Sequence, residues 1–255
     1  MRKTVILITS MFLFTSCKSY LLNEFFEQNG IYQKNVKTEK LIGNNEIVFV
    51  PIHHLGTHSF YNDVKNKVDS LKNLDYKIFY EMVLTEHAKS SDTTKQKIID
   101  TTMMLKFRKS FGLKGLSKSG ASNYKEFFEG RGLKLKKILI PQPKLSALGL
   151  KGSQCENVDA TTEELIKAYE LKYGKIILEE YDLKTNLFDA YDRNKCKYKI
   201  DKKIFEEFIV NYRNNIVLSK IKQNKSLKIA IVYGKNHFIG IKDQLQKIGY
   251  KMIEN

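Results

Sequence analysis

Hydrophobic positions in this chain follow two rhythms. Near the C-terminus, Ile229-Ala230-Ile231-Val232-Tyr233 is an unbroken run rich in β-branched residues. Its length and composition are those of a buried strand. Gly234 ends the run, and apolar residues then return at Phe238, Ile241, Leu245 and Ile248, which is helical spacing. The same sequence of events occurs near the other end. Ile47-Val48-Phe49-Val50 reads as a strand, Pro51-Ile52-His53-His54 as a turn, and Phe60, Val64, Val68 and Leu71 as the inner stripe of a helix. Strand, turn and helix thus occur twice, and each turn carries a histidine: His54 in the first and His237 in the second.

The remaining elements fill in between. The spacing predicts strand 46–52, helix 59–73 and strand 76–82, a β-α-β unit whose right-handed crossover makes its strands parallel. A helix follows over 92–108. Residues 110–154 hold Gly112, Gly115, Gly120, Gly130 and Gly132, and read as short helices and loops, with room for a lid. Asp159, followed by Thr161, Thr162, Glu163 and Glu164, is a helix-start signature in which Asp159 is the simplest cap. Helices are expected over 161–172 and part of 176–192. Residues 201–222 form the longest helix, with Ile204, Phe208, Tyr212, Ile216 and Ile221 on one side. Strand 227–233, helix 237–247 and strand 250–253 close the chain. The expected fold class is α/β, or α+β if the sheet is strongly mixed. The two end units would build one central sheet, covered by the helical middle.

The first residues do not fit this scheme. Met1-Arg2-Lys3 is a short positive start, Thr4 to Phe14 is an apolar run too short to span a bilayer stably, and Thr15-Ser16-Cys17 follows. This resembles a bacterial lipoprotein signal over residues 1–16, with Cys17 as the lipidated mature N-terminus. Phe14 departs from the leucine usual there. Residues 17–44 read as a polar tether with a short helix around Leu21 to Phe26, and residues 45–255 as the domain. The expected location is the cell envelope, on a membrane through the N-terminal lipid. Cys155 and Cys196 remain, and define one conceivable disulfide that export permits.

Composition adds a formal net charge of +16 over 255 residues. The lysines are spread along the whole chain, with no zinc-finger spacing, aromatic RNA-binding motif or concentrated basic arm. No nucleic-acid partner is therefore expected, and the charge reads as a solvated basic surface compatible with anionic lipid.

A few residues could carry chemistry. His54 and His237 at matched strand ends could converge as ligands of a divalent metal, or each could simply hydrogen-bond its own turn. Glu81 ends the apolar strand Ile78-Phe79-Tyr80. Burying a carboxylate there requires a cation, a metal or a positioned water, and it could act as a general base. Arg213 lies beside the apolar side of the long helix, where it could pair with a carboxylate or stabilise an oxyanion. Tyr61 and Tyr233, beside the two turns, either line a substrate pocket or pack.

These residues resemble the TraB/GumN/Tiki family, within the wider erythromycin-esterase-like and ChaN-like superfamily. Gly234-Lys235-Asn236-His237 matches its second GxxH motif, inside Val232-Tyr233-Gly234-Lys235-Asn236-His237-Phe238-Ile239-Gly240-Ile241. Gly249-Tyr250 also fits. The first motif has Pro51 in the glycine place and His54 in the histidine place, with Gly56, Phe60 and Tyr61 following. Tyr80-Glu81 fits the acidic strand end, Arg213-Asn214 the arginine-bearing helix, and Asn157-Val158-Asp159 with Glu163-Glu164 the middle section. The resemblance covers roughly residues 46 to 253, with gaps in 88–145. It implies a metal-dependent hydrolase, a peptidase in Tiki members, using a manganese, cobalt-type or zinc ion. His54, His237 and Glu81 would be ligands, Glu81 and Arg213 catalytic, and Tyr61, Asn214 and Tyr233 substrate contacts. The partners would be a peptide or protein substrate and the membrane. The competing expectation is a non-catalytic binding protein that sequesters a peptide signal, a metal or haem.

Overall fold

The computed structural model describes residues 18–85, 93–111, 128–187, 191, 192, 195 and 201–253, with the side chains of 93–100 excepted. Residues 1–17, on which the expected signal and lipidated Cys17 fall, and Cys196 lie outside the described residues.

The strands are β1 (Glu39–Ile42), β2 (Glu46–Ile52), β3 (Leu55–Gly56), β4 (Lys77–Tyr80), β5 (Ile140–Pro141), β6 (Cys155–Asn157), β7 (Lys228–Gly234) and β8 (Lys251–Ile253). Six of them form one mixed sheet in the order β6-β4-β7-β2-β1-β8, while β3 and β5 make a separate antiparallel pair. The fold class is α/β, as the alternation of elements predicts. The four strands β6, β4, β7 and β2 run parallel, and β1 pairs antiparallel with both β2 and β8. The two end units are direct neighbours: β2 and β7 pair along their whole length, from Glu46 opposite Lys228 to Ile52 opposite Gly234.

The helices are α1 (18–28), α2 (His58–Asn73), α3 (Thr93–Phe111), α4 (Thr162–Tyr173), α5 (Glu180–Lys184), α6 (Lys202–Phe205), α7 (Arg213–Gln223) and α8 (Lys235–Lys247), with a π-helical turn, Glu206–Tyr212, joining α6 to α7. Both faces of the parallel sheet are covered, which is why its strands read as continuous apolar runs rather than alternating ones. Val48, Val50, Ile78, Ala230 and Val232 face α2 through Phe60, Val64 and Val68. Ile47, Phe49, Phe79, Ile229 and Ile231 face Val217, Leu218, Ile221, Phe238, Ile241 and Leu245 of α7 and α8. A third cluster joins Phe107, Phe111, Leu165, Ile166, Tyr169 and Phe208, so α3, α4 and the π turn pack together.

The structure corrects three expectations. Residues 18–44 are part of the fold rather than a tether. Phe26 of α1 packs on Tyr32 and Leu139, and β1 extends the sheet with Leu41 buried. Of the two apolar residues in β1, only Leu41 is buried, and Ile42 stays exposed, so the strand carries little hydrophobic signal. Next to it Gly43 lies flat on the Tyr250 ring, where a Cβ would fall 2.7 Å from Cγ. The long helix over 201–222 is not one regular α-helix but is widened by the π turn just before Arg213. Such turns are uncommon and often sit at functional positions. The predicted helix within 176–192 shrinks to α5 among the described residues. The part of 110–154 that is described is anchored by Leu139, Leu148 and Leu150, all buried.

Candidate functional site

The carboxyl ends of parallel strands are where open α/β sheets place their chemistry. Here β4 delivers Glu81, β6 delivers Asp159, and β7 delivers Gly234 and His237. All three strand ends are adjacent in the sheet.

Arg213 ties them together. Its Nε and Nη2 donate to the two oxygens of Asp159, both at 2.7 Å. Nη2 also donates to Glu81 Oε1 at 2.5 Å, and Nη1 to the carbonyl of Ile209 at 3.2 Å. Four of the five guanidinium N–H groups are therefore occupied, and the residue is buried. The π turn matters here, because a widened turn re-aims the next one. Arg213 and Asn214 then face inward with Val217, Leu218 and Ile221. Of the two expectations for Arg213, the geometry gives the pairing with carboxylates, two of them, and leaves one Nη1 N–H outside these bonds.

Glu81 is held from both sides. Oε2 accepts from the Gly234 backbone N–H at 2.5 Å while Oε1 takes Arg213. Burial pushes this carboxyl up, but Arg213, His237 and the Gly234 amide together hold it below its usual value. The GxxH glycine has a packing reason. A Cβ on Gly234 would fall 3.0 Å from Glu81 Oε2.

His237 lies in the first turn of α8 and is buried. Its Nδ1 is 2.7 Å from Asn214 Oδ1, and its Nε2 is 3.8 Å from Glu81 Oε1. An amide oxygen accepts only, so Nδ1 carries the proton and Nε2 presents a lone pair. Asn214 is itself fully buried and is accommodated by Gly240, where a Cβ would stand 2.5 Å from Nδ2. The Tyr233 ring lies beneath, 5.7 Å from the Arg213 guanidinium carbon and edge-on to His237 at 4.9 Å. Burial and the Asp159 charge push the Tyr233 phenol up, so it stays protonated. Asn214 and Tyr233 are thus enclosed supports of His237 rather than surfaces open to substrate. Tyr61 is also buried, and its hydroxyl donates to the carbonyl of His53 at 2.8 Å, fixing the first turn.

The two histidine turns share a rim but are not equivalent. Ile52 pairs with Gly234, so His54 lies two residues beyond the paired position and His237 three. The first turn then makes β3 before Thr57 caps α2, whereas α8 starts directly after Gly234. His54 consequently stays exposed, with Nδ1 3.1 Å from Gln142 Oε1.

The donor set can be tested against a divalent ion. Among the described residues no three His, Cys, Asp or Glu side chains are grouped tightly enough to hold one. The chemistry of the individual donors nevertheless fits. His54 and His237 each turn Nδ1 to an amide oxygen and leave Nε2 without a hydrogen-bond partner among the described residues, which is how metal-binding imidazoles are oriented. The buried cluster of Glu81, Asp159 and Arg213 also carries one negative charge in excess, which a cation offsets. Closing the set requires the exposed His54 side chain to swing toward His237.

Asp159, expected to cap the following helix, is instead the bidentate partner of Arg213. It does not cap α4. Thr161 does, in a capping box with Glu164. The Thr-x-x-Glu spacing of 161 and 164 is itself the capping-box signature, and reading it strictly frees Asp159 for Arg213. Gln142 carried no signal, because only tertiary contact brings it to His54.

The site predicts an acid response. Burial, then Arg213, lowers the His237 pKa to about 4, against the pull of Glu81 and Asp159. The imidazole is therefore neutral near pH 7, while in the unfolded chain it titrates at about 6.5. Its contribution to stability is present above 6.5 and is lost as pH falls toward 4, because the unfolded state takes up a proton the folded state refuses. The loss is on the order of 3 kcal/mol. Glu81, with its pKa also lowered, works in the same direction at lower pH. Melting temperatures measured across this range should fall most steeply between 6.5 and 4, and His237→Gln should flatten that fall. An unchanged slope in the variant would contradict the assignment.

No family model, curated protein or solved structure matches this chain.

Proposed function

We propose that this chain is a metal-dependent hydrolase of the TraB/GumN/Tiki type, cleaving peptide bonds while anchored to a membrane through Cys17. The observation that carries the reading is the pairing of an ionised Glu81 with the neutral Nε2 of His237, 3.8 Å apart at one strand edge. His237, Glu81 and an inward-turned His54 would hold a manganese, cobalt-type or zinc ion. Such an ion, when bound, lowers the pKa of a coordinated water and polarises the scissile carbonyl. The protein's own groups do the rest. Asn214 fixes the His237 tautomer and Arg213 keeps Glu81 ionised; Glu81 would serve as ligand or, with the ion held by the histidines, as the base that takes a proton from water and returns it to the leaving amine.

The test is cleavage of a peptide mixture by protein stripped with a chelator and then resupplied with manganese, cobalt or zinc. The reading expects cleavage to vanish on stripping and return with one of the ions. Cleavage indifferent to the chelator would remove the metal from it. Peptide binding without cleavage under any ion would favour the sequestering protein instead.

A further inference from the structure

The outward side of α1 exposes three large apolar residues, among Lys18, Glu27 and Gln28, and nothing in the described fold covers them. Tyr20, Leu21 and Phe25 are 60%, 61% and 58% exposed, respectively. The opposite side is fixed by Asn23 and Phe26. Asn23 Nδ2 donates to the carbonyl of Lys134, and Asn23 Oδ1 accepts from the backbone N–H of Lys136. Phe26 packs edge-on to Tyr32 and Phe128. The helix cannot roll to hide its outer face without breaking these contacts. Burying Leu21 and Phe25 requires a partner.

Two observations identify that partner as a bilayer surface. The first is where the chain outside the described residues meets this helix. The apolar run Thr4 to Phe14 and Cys17 lead directly into residue 18, so whatever holds the N-terminus to a membrane is within one helical turn of Tyr20 and Leu21. The second is charge. Lys18, Lys134 and Lys136 are exposed around the helix, and Lys136 neutralises Glu24 at 3.0 Å. Glu27 is the acidic residue left, at the end remote from Cys17. Aromatic and aliphatic side chains flanked by lysines are what an interfacial helix presents to anionic headgroups.

We infer that the folded domain docks on an anionic membrane through Tyr20, Leu21 and Phe25 of α1, as a second attachment beside the N-terminal anchor. The inference rests on the membrane location proposed above, but not on lipidation of Cys17 itself. It changes what the anchor does. A lipid anchor alone leaves the domain free to tumble about its tether, whereas an anchor plus an interfacial face fixes its orientation.

The chain has no tryptophan, so a single introduced indole reports on its surroundings. Leu21→Trp and Phe25→Trp, each in the full chain, would be mixed with vesicles of phosphatidylethanolamine and phosphatidylglycerol, with and without brominated acyl chains. Leu171→Trp is the control, since Leu171 is 89% exposed on α4. The expected result is emission shifted to shorter wavelength and quenched by brominated lipid at positions 21 and 25. Position 171 should keep its solvent emission. A vesicle-bound protein whose indole at 25 stays in water would overturn the inference. So would emission already shifted without vesicles and unchanged by them, which would mean that another segment or a second copy covers the face. Mass analysis of the membrane-extracted N-terminus separates the two attachments. An acylated Cys17 with position 25 in water keeps the anchor and rejects the docking face. An unmodified Cys17 with position 25 quenched rejects lipidation and keeps the face.

Discussion

Glu81→Gln is expected to remove turnover while leaving the fold in place. Glutamine keeps an oxygen for the Gly234 N–H, and Arg213 keeps its two bonds to Asp159. What disappears is the carboxylate beside His237 Nε2. Loss of a positioned general base costs about 10²–10⁴-fold in rate. Because Glu81 also neutralises Arg213, a modest drop in stability accompanies it. The decisive comparison is therefore made on one preparation, with melting temperature and peptide cleavage per folded molecule measured together. Cleavage that survives in proportion to the folded fraction would reduce Glu81 to a structural counter-ion.

Arg213→Met should be the most damaging change to the fold. Glu81 and Asp159, with side chains only 10% and 0% exposed, would be left as buried carboxylates with no guanidinium between them. Removing one partner from a buried ion pair typically costs about 3–5 kcal/mol. At about 2–4 °C per kcal/mol for a domain of this size, the melting point should drop by roughly 6–20 °C. The sign with pH is specific. Without Arg213 the Glu81 carboxyl loses the largest influence holding its pKa down, so its contribution should favour the folded variant as pH falls through the carboxylate range, opposite to the wild type. Arg213→Lys restores charge but not the planar fork that spans Asp159 and Glu81, and should recover only part of the loss. Asp159→Asn on the Arg213→Met background should relieve part of the damage by removing one of the two stranded charges. A variant that melts like the wild type at neutral pH would contradict the bridging role of Arg213.

Much of this was legible in the residues. Two strand-turn-helix units, written in β-branched runs and helical stripes, become adjacent parallel strands, and Glu81 and His237 come from their ends or the strand beside them. What escaped the reading has physical causes. A four-residue strand such as β1, near one end of the sheet, buries Leu41 alone and leaves only that residue as its core signature. The π turn before Arg213 is set by packing on α3 and α4, so periodicity at 3.6 residues could not register it. Asp159 was assigned to the nearest local partner, a helix start, although its long-range partner lies 54 positions away. His54 was expected to mirror His237, but the extra β3–β5 pairing lengthens the first turn and carries that side chain outward.

The proposal of a metal-dependent centre is tested most directly by diffraction from crystals soaked in manganese, with the anomalous signal locating the ion. One strong peak is expected within coordination distance of His237 Nε2 and of Glu81, with His54 turned inward to meet it. A saturating soak that leaves this strand edge without a peak, or that places manganese only on surface carboxylates elsewhere, would contradict it.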